Sequence, residues 1–234
     1  MIPPSKRLRR AVVANDASLV QRILKSHPDL LHNPDSSADG LSNSNLHLAA
    51  SLGHLQVCKV LVAAGHEVPM AALNENHQTA LMLAAAAGHT EVVLFLAQTN
   101  PSSILRCDTR GRDAIMEASA GGHDTVLQIL LTCHPDGVEA GVHNSDLDGN
   151  TALHFASSHG HLPAIRTLLA ANADPDKPNL WSWPPVAYSA TVQTEVRYKQ
   201  YVAEQMEKGG YHDPEEGRKG GAVRIVNHET SVLG

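Results

Sequence analysis

Aromatic residues are scarce in this chain: they make up 3% of its 234 residues, with two tryptophans, Trp181 and Trp183. A core with so few rings has to close through small aliphatic side chains, and apolar residues at 42% can supply one. Cysteine is equally sparse. Cys58, Cys107 and Cys133 are far apart, odd in number and form no C-x-x-C pair. That excludes a disulfide framework and suits a reducing compartment. No charge of one sign dominates: 18 Lys and Arg face 24 Asp and Glu, for a net charge of −6. Bulk electrostatics therefore give no reason to expect nucleic acid as a partner. No apolar run approaches the ~18 residues that a membrane span needs. MIPPSKRLRR has no apolar segment behind its charges, so it does not read as a secretory signal. Proline blocks the one N-x-S/T match, Asn100-Pro101-Ser102. The absences together predict a cytoplasmic chain without direct membrane insertion.

Catalytic and cofactor signatures are missing as well. Fifteen histidines invite a metal or enzyme reading, but none falls in an H-x-x-x-H or H-E-x-x-H pattern, or in a Cys/His cluster with ligand spacing. There is no G-x-S-x-G elbow and no phosphate loop. The expectation is no catalytic residue, no metal, no cofactor and no small-molecule substrate.

What is present is a repeat. Gly-His pairs occur at Gly53-His54, Gly88-His89, Gly122-His123 and Gly160-His161, spaced by 35, 34 and 38 residues. Each pair follows a small-residue segment and precedes an apolar-periodic one, such as Leu55-Gln56-Val57-Cys58-Lys59-Val60-Leu61-Val62. The clearest unit runs from Asp146 to Leu169 and has the form D-x-x-G-x-T-x-L-H-x-A-x-x-x-G-H. Related segments are Ser44-Asn45-Leu46-His47-Leu48-Ala49-Ala50, Thr79-Ala80-Leu81-Met82-Leu83-Ala84-Ala85 and Asp113-Ala114-Ile115-Met116-Glu117-Ala118-Ser119. The pattern resembles the ankyrin repeat, a unit of about 33 residues built as a β-turn and two antiparallel helices. The resemblance implies an all-α solenoid of stacked helix-turn-helix units with hairpin loops.

In that register the array covers 1–206. A degenerate N-terminal cap occupies 5–32, repeats follow at about 39–71, 74–106, 108–144 and 146–176, and a degenerate C-terminal cap occupies 179–206. Ser5 can cap the first helix, on which Lys6, Arg7, Arg9 and Arg10 face water; the same basic cluster could serve as a nuclear localisation signal. An extended loop passes through Pro135-Asp136-Gly137. In the C-terminal cap Gln193-Thr194 takes the place of a Gly-His pair, and the outer helix runs from Glu195 to about Met206. The stretch 207–234 is rich in Gly and charge, lacks periodicity and reads as a disordered tail.

The repeat itself accounts for six histidines: His47, His54, His89, His123, His154 and His161. Thr151 can cap its helix, and the His of T-x-L-H can tie neighbouring hairpins through both ring nitrogens. The Gly of each Gly-His pair ends the first helix in a conformation costly for other residues.

Ankyrin arrays bind proteins through their hairpin tips and the exposed side of their first helices. Carried onto this register, the resemblance implies tip contacts at Glu75, Asn76, Gln78, Arg110, Arg112, Leu147, Asp148, Asn150, Trp181 and Trp183. It also implies helix contacts at positions including Leu52 and His159. Arg110 and Arg112 could grip a carboxylate or phosphate. The tryptophans are residue types enriched in interface hot spots, but either could instead fold back as a lid on the last unit.

The whole array also resembles the fungal ankyrin-repeat accessory subunits of target of rapamycin complex 2. The shared residues are Leu8-Arg9-Arg10-Ala11-Val12-Val13, His27-Pro28-Asp29-Leu30-Leu31, Asp148-Gly149-Asn150-Thr151 and the Trp183-x-Pro185-Val186 segment. This resemblance implies a non-catalytic subunit, monomeric when free, that docks on the subunits of a kinase complex. It would lie in the cytoplasm, and at the plasma membrane only through that complex. The competing expectation is a chaperone, inhibitor or adaptor for a different regulatory protein in cytoplasm or nucleus.

Overall fold

The computed structural model describes residues 2–34 and 41–207, so the tail expected over 207–234 lies, but for Glu207, outside the described residues. The described residues form a row of helical hairpins. Inner helices are α1 (Pro4–Val13), α3 (Asn45–Ser51), α5 (Ala80–Ala86), α7 (Ala114–Gly121) and α10 (Ala152–Ser158). Each pairs with an outer helix: α2 (Ala17–Ser26), α4 (Leu55–Ala63), α6 (Thr90–Thr99), α8 (Asp124–Thr132) and α11 (Leu162–Ala170). A short helix, α9 (Val138–Val142), stands in the loop after α8, where an extended loop was expected. In the last unit a 3-10 turn over Pro185–Tyr188 replaces the inner helix, and α12 (Val192–Glu207) is the outer one, starting three residues before the expected Glu195. No strand forms among the described residues; one antiparallel bridge joins Ser145 to Thr151.

The stack follows from side-chain size. Ala49, Ala50, Ala84, Ala85, Ala118 and Ala156 are fully buried, so consecutive inner helices approach closely. Leu46, Leu61, Leu81, Ile115, Leu153 and Ile165 are buried in the same continuous cluster. Each such side chain contributes roughly 1.5–3 kcal/mol relative to exposure. Because each hairpin meets only its neighbours, stability accumulates unit by unit along the row.

Two local expectations need correction. Ser5 does not cap α1. The helix begins one residue earlier, at Pro4, whose fixed φ suits a first helical position and whose missing N–H is no loss there. Arg9 does not face water; it is half-buried and donates from Nη1 to the Asn43 carbonyl at 3.1 Å, tying α1 to the loop before α3.

The Gly-His pairs join one unit to the next. His54 Nε2 donates to the Val13 carbonyl (3.2 Å), His89 to Ser51 (2.9 Å), His123 to Ala86 (3.1 Å) and His161 to Ala120 (3.0 Å). Every acceptor lies at or next to the end of the preceding inner helix, where carbonyls have no partner within the helix. In the last unit Thr194 is buried, and its Oγ1 stands 3.3 Å from where a Cβ on Gly160 would lie, the place a ring occupies in earlier units.

Candidate protein-binding surface

Each hairpin tip is a closed five-residue loop. Its first residue, Asn74, Asp108, Asp146 or Asn179, is held by a backbone bond to the carbonyl of its fifth, Gln78, Arg112, Asn150 or Trp183. The same first side chain accepts from the amides of the third and fifth residues through one Oδ1. These bonds measure 2.8 and 2.8 Å at Asp108, and 3.0 and 3.1 Å at Asn179. Such Asx loops hold a turn without help from regular structure. The fourth residue has a left-handed backbone throughout: His77, Gly111, Gly149 and Ser182.

The tips are also bonded to one another. Glu75 N–H donates to the Leu41 carbonyl, Thr109 to Asn76, Leu147 to Arg110 and Leu180 to Asp148, all between 2.9 and 3.0 Å. Gly149 is needed here for close approach, since a Cβ on it would lie 2.9 Å from the Leu180 backbone nitrogen. The result is a ladder of rigid loops with second and third residues pointing outward.

This frame sorts the expected contact residues. Glu75, Asp148, Leu147 and Trp181 are exposed, and so are Arg110, Leu52 and His159; Asn76 is half-buried, and Leu180, beside Trp181, is exposed as well. Fifth-position residues turn inward instead. Gln78 Oε1 accepts from Asn74 Nδ2 (3.2 Å), and Asn150 Oδ1 accepts from Asn179 Nδ2 (2.9 Å). Arg112 pairs with Glu117 at 2.9 Å and with Asp108 at 3.5 Å, a carboxylate it shares with Arg110, and at 17% side-chain exposure it is committed within the chain rather than open to a partner. Arg110 remains 68% exposed and leans on Asp108 at 3.8 Å. Trp183 breaks the fifth-position rule. At 54% exposure, with Trp181 at 57%, neither tryptophan forms a lid.

The residues that sequence reasoning missed are the first tip residues Asn74, Asp108 and Asn179, of whose set only Asp146 stood in the repeat motif, and Tyr188. Asn179 donates to Tyr188 Oη at 2.7 Å, and the Tyr188 ring lies 5.6 Å from that of Trp183 and 5.7 Å from that of His154. The first tip residues recur with spacings of 34, 38 and 33, close to those of the Gly-His pairs, which was the available signal.

His47 and His154 hold the tips to the inner helices. His47 Nε2 donates to the Gln78 carbonyl at 2.9 Å, while its Nδ1 accepts from Ser44 N–H (3.3 Å) and Ser44 Oγ (2.7 Å). His154 repeats this with the Trp183 carbonyl (3.0 Å) and Thr151 N–H (3.1 Å). Burial pushes His47 down to about 4, against smaller upward pulls from the Gln78 carbonyl and Glu67 and a downward push from His66. Burial likewise lowers His154. Both rings are thus neutral structural braces at neutral pH, not proton shuttles. Burial drives the Cys58 thiol up to about 12, which removes thiolate chemistry there. Among the described residues no group of three or more His, Cys, Asp or Glu is placed to hold a metal, and no helix is long and apolar enough to cross a membrane.

The comparisons with known proteins agree with this architecture. The chain is 28% identical to the target of rapamycin complex 2 subunit AVO2 of Saccharomyces cerevisiae over 209 residues, 88% of this chain and 47% of that protein. It is 36% identical to the E3 ubiquitin-protein ligase XBAT32 of Arabidopsis thaliana over 142 residues, 60% of this chain and 27% of that one. The chain thus spans half or less of the curated relatives it matches. Among solved structures, an ankyrin repeat protein, EF0377, superposes with a TM-score of 0.68 at 19% identity, covering 85% of this chain and 96% of its own. The family model for ankyrin repeats in three copies matches residues 8–104 and 100–179. The helical hairpins, the Gly-His joints and these matches make the chain a member of the ankyrin-repeat family.

Proposed function

We propose that this array is a non-catalytic scaffold that binds protein through its tip ladder, and that it serves as an accessory subunit of a target of rapamycin complex 2. The observation that carries the binding reading is the exposure of Leu147, Leu180, Trp181 and Trp183 on loops already rigidified by hydrogen bonds. Large apolar side chains on a preorganised frame lose little entropy when a partner covers them. Complex membership draws its support from the likeness to AVO2, which runs through 88% of this chain. In that role the chain contacts the kinase or its scaffold subunits, lies in the cytoplasm, and reaches the plasma membrane only through the complex.

A second reading follows from the likeness to a ubiquitin ligase: the same surface could recruit a different protein as an adaptor. Affinity purification from native lysate separates the two, comparing wild type with a Trp181→Ala, Arg110→Ala double variant. Stoichiometric recovery of a very large kinase with its scaffold subunits, weakened by the variant, supports the proposal and the surface together. A small one-to-one complex would replace it with the adaptor reading. An intact kinase complex indifferent to both substitutions would keep the membership and discard the tip surface.

A further inference from the structure

At the C-terminal end of the ladder, Trp181, Trp183 and Tyr188 line an open recess of about 540 Å³. From its geometry we infer that the recess is an aromatic cage for a side-chain cation, a lysine ammonium or arginine guanidinium on a basic segment of the partner. The inference deepens the protein-binding reading above and rests on it.

Four observations point to a cation. The lining consists of three π-systems, whose faces carry negative potential and attract ammonium and guanidinium groups. The frame under two of the rings is fixed. The Trp183 backbone is anchored through its amide to Asn179 Oδ1 and through its carbonyl to His154 Nε2, its ring lies 5.6 Å from that of Tyr188, and Tyr188 Oη is held by Asn179. An exposed carboxylate stands on the adjacent rung: Asp148 gives its carbonyl to Leu180 N–H, and among the described residues its side chain has no hydrogen bond or ion pair. Finally, the chain's nearby cations are engaged elsewhere. Lys177 Nζ donates to the His143 carbonyl at 2.7 Å, Arg110 leans on Asp108, and among the described residues the cation–ring contact is Lys59 over Phe95. A net charge of −6 favours approach by a basic segment.

Trp181 and Trp183 are the only tryptophans in the chain, so intrinsic indole emission reports on this recess alone. The test titrates the full chain with the pentapeptide Ac-Gly-Gly-Lys-Gly-Gly-amide, with its arginine and trimethyllysine forms, and with the neutral tert-butyl isostere of trimethyllysine. The expected result is an emission change in which the lysine or the arginine peptide binds roughly fivefold or more tighter than the neutral isostere, and binding of the trimethyllysine peptide alone would overturn the inference. Asp148→Asn should weaken the cationic peptides about two- to fivefold while leaving the neutral one unchanged. Equal binding of the neutral isostere would make the recess merely apolar and overturn the inference. So would an emission indifferent to every cationic peptide. The peptide comparison needs only wild-type protein, so a variant that fails to fold does not blur it. No partner protein takes part, so a chain that recovers its kinase subunits but ignores the cation keeps the scaffold reading and loses this one.

Discussion

The imidazole of His161 lies across Gly122 of the preceding unit, with Nε2 3.0 Å from the Ala120 carbonyl oxygen. A Cβ on Gly122 would sit 2.5 Å from His161 Nδ1, and the Gly122 φ of +70° is itself costly for other residues. Gly122→Ala should therefore destabilise the array by about 2–4 kcal/mol, combining backbone strain, the displaced ring and the lost cap on α7. Urea denaturation measures this. A loss under about 0.5 kcal/mol would mean that the ring moves aside freely and that the Gly-His joint does not couple the units.

Acid should weaken the fold through His47 and His154. Each ring already uses Nδ1 as an acceptor, so protonation there opposes a backbone N–H as well as burial. Their folded values lie below the unfolded 6.5, so stability is complete above pH 6.5 and falls as pH drops, for His47 until about 4. For His47 alone the shift corresponds to about 3 kcal/mol. Melting temperature against pH should show the decline, and His47→Asn should flatten it while lowering the neutral-pH plateau. A profile unchanged by the substitution would place the acid sensitivity elsewhere.

Asp113 should behave with the opposite sign. It caps α7 through Met116 N–H at 2.9 Å and accepts from Asn144 Nδ2 at 3.0 Å, but burial raises its carboxyl above the usual 3.8. The stability it contributes is present at low pH and is lost as pH rises above 3.8 through the folded value. Asp113→Asn keeps a capping oxygen, removes the buried charge and lets the Asn144 amide turn over to accept. It should be neutral to stabilising by about 1 kcal/mol at pH 7, whereas Asp113→Ala should cost about 1–2 kcal/mol. If the Asn variant is the less stable one at pH 7, the ionised carboxylate is worth more to its two donors than its desolvation costs.

The last unit should depend on Tyr198. It is buried on the inner face of α12, and its hydroxyl donates to the Pro175 carbonyl at 2.8 Å. Tyr198→Phe should cost about 1 kcal/mol and Tyr198→Ala about 3–5 kcal/mol. Hydrogen exchange should locate the loosening between Leu162 and Glu207 first. Uniform loosening from Pro4 onward would instead indicate an all-or-none array.

The repeat register was legible because glycine and histidine each have one task at one place: a left-handed helix end, and a ring that reaches back one unit. The T-x-L-H histidine was legible too, although Met82 and Met116 fill its place with apolar volume in two units. The tip chemistry was not. Asp146 opens the repeat motif, but its counterparts Asn74, Asp108 and Asn179 are of two residue types, and only Asp108 shares its identity, so a pattern sought by identity does not carry the role from unit to unit. The inward turn of Gln78, Arg112 and Asn150 depends on partners across the loop, such as Glu117 for Arg112, that no local periodicity reveals. The start of α1 was misplaced because Pro4 and Ser5 are both good first-turn residues, and the burial of Leu8, Ala11 and Val12 and the Arg9 bond to Asn43 fix the helix through contacts outside that turn.

The bonded tips also make the array a ruler. Three rungs separate Glu75 from Leu180, and helices packed side by side advance roughly 8–10 Å per unit, so the two ends stand roughly 25–30 Å apart. Backbone bonds at every rung keep that distance from stretching. An extended partner strand advancing about 3.3 Å per residue needs about eight or nine residues to touch both Glu75 and Trp181. Length would then be selected alongside composition: a shorter segment reaches one end only, and a longer one has to bulge away from the surface.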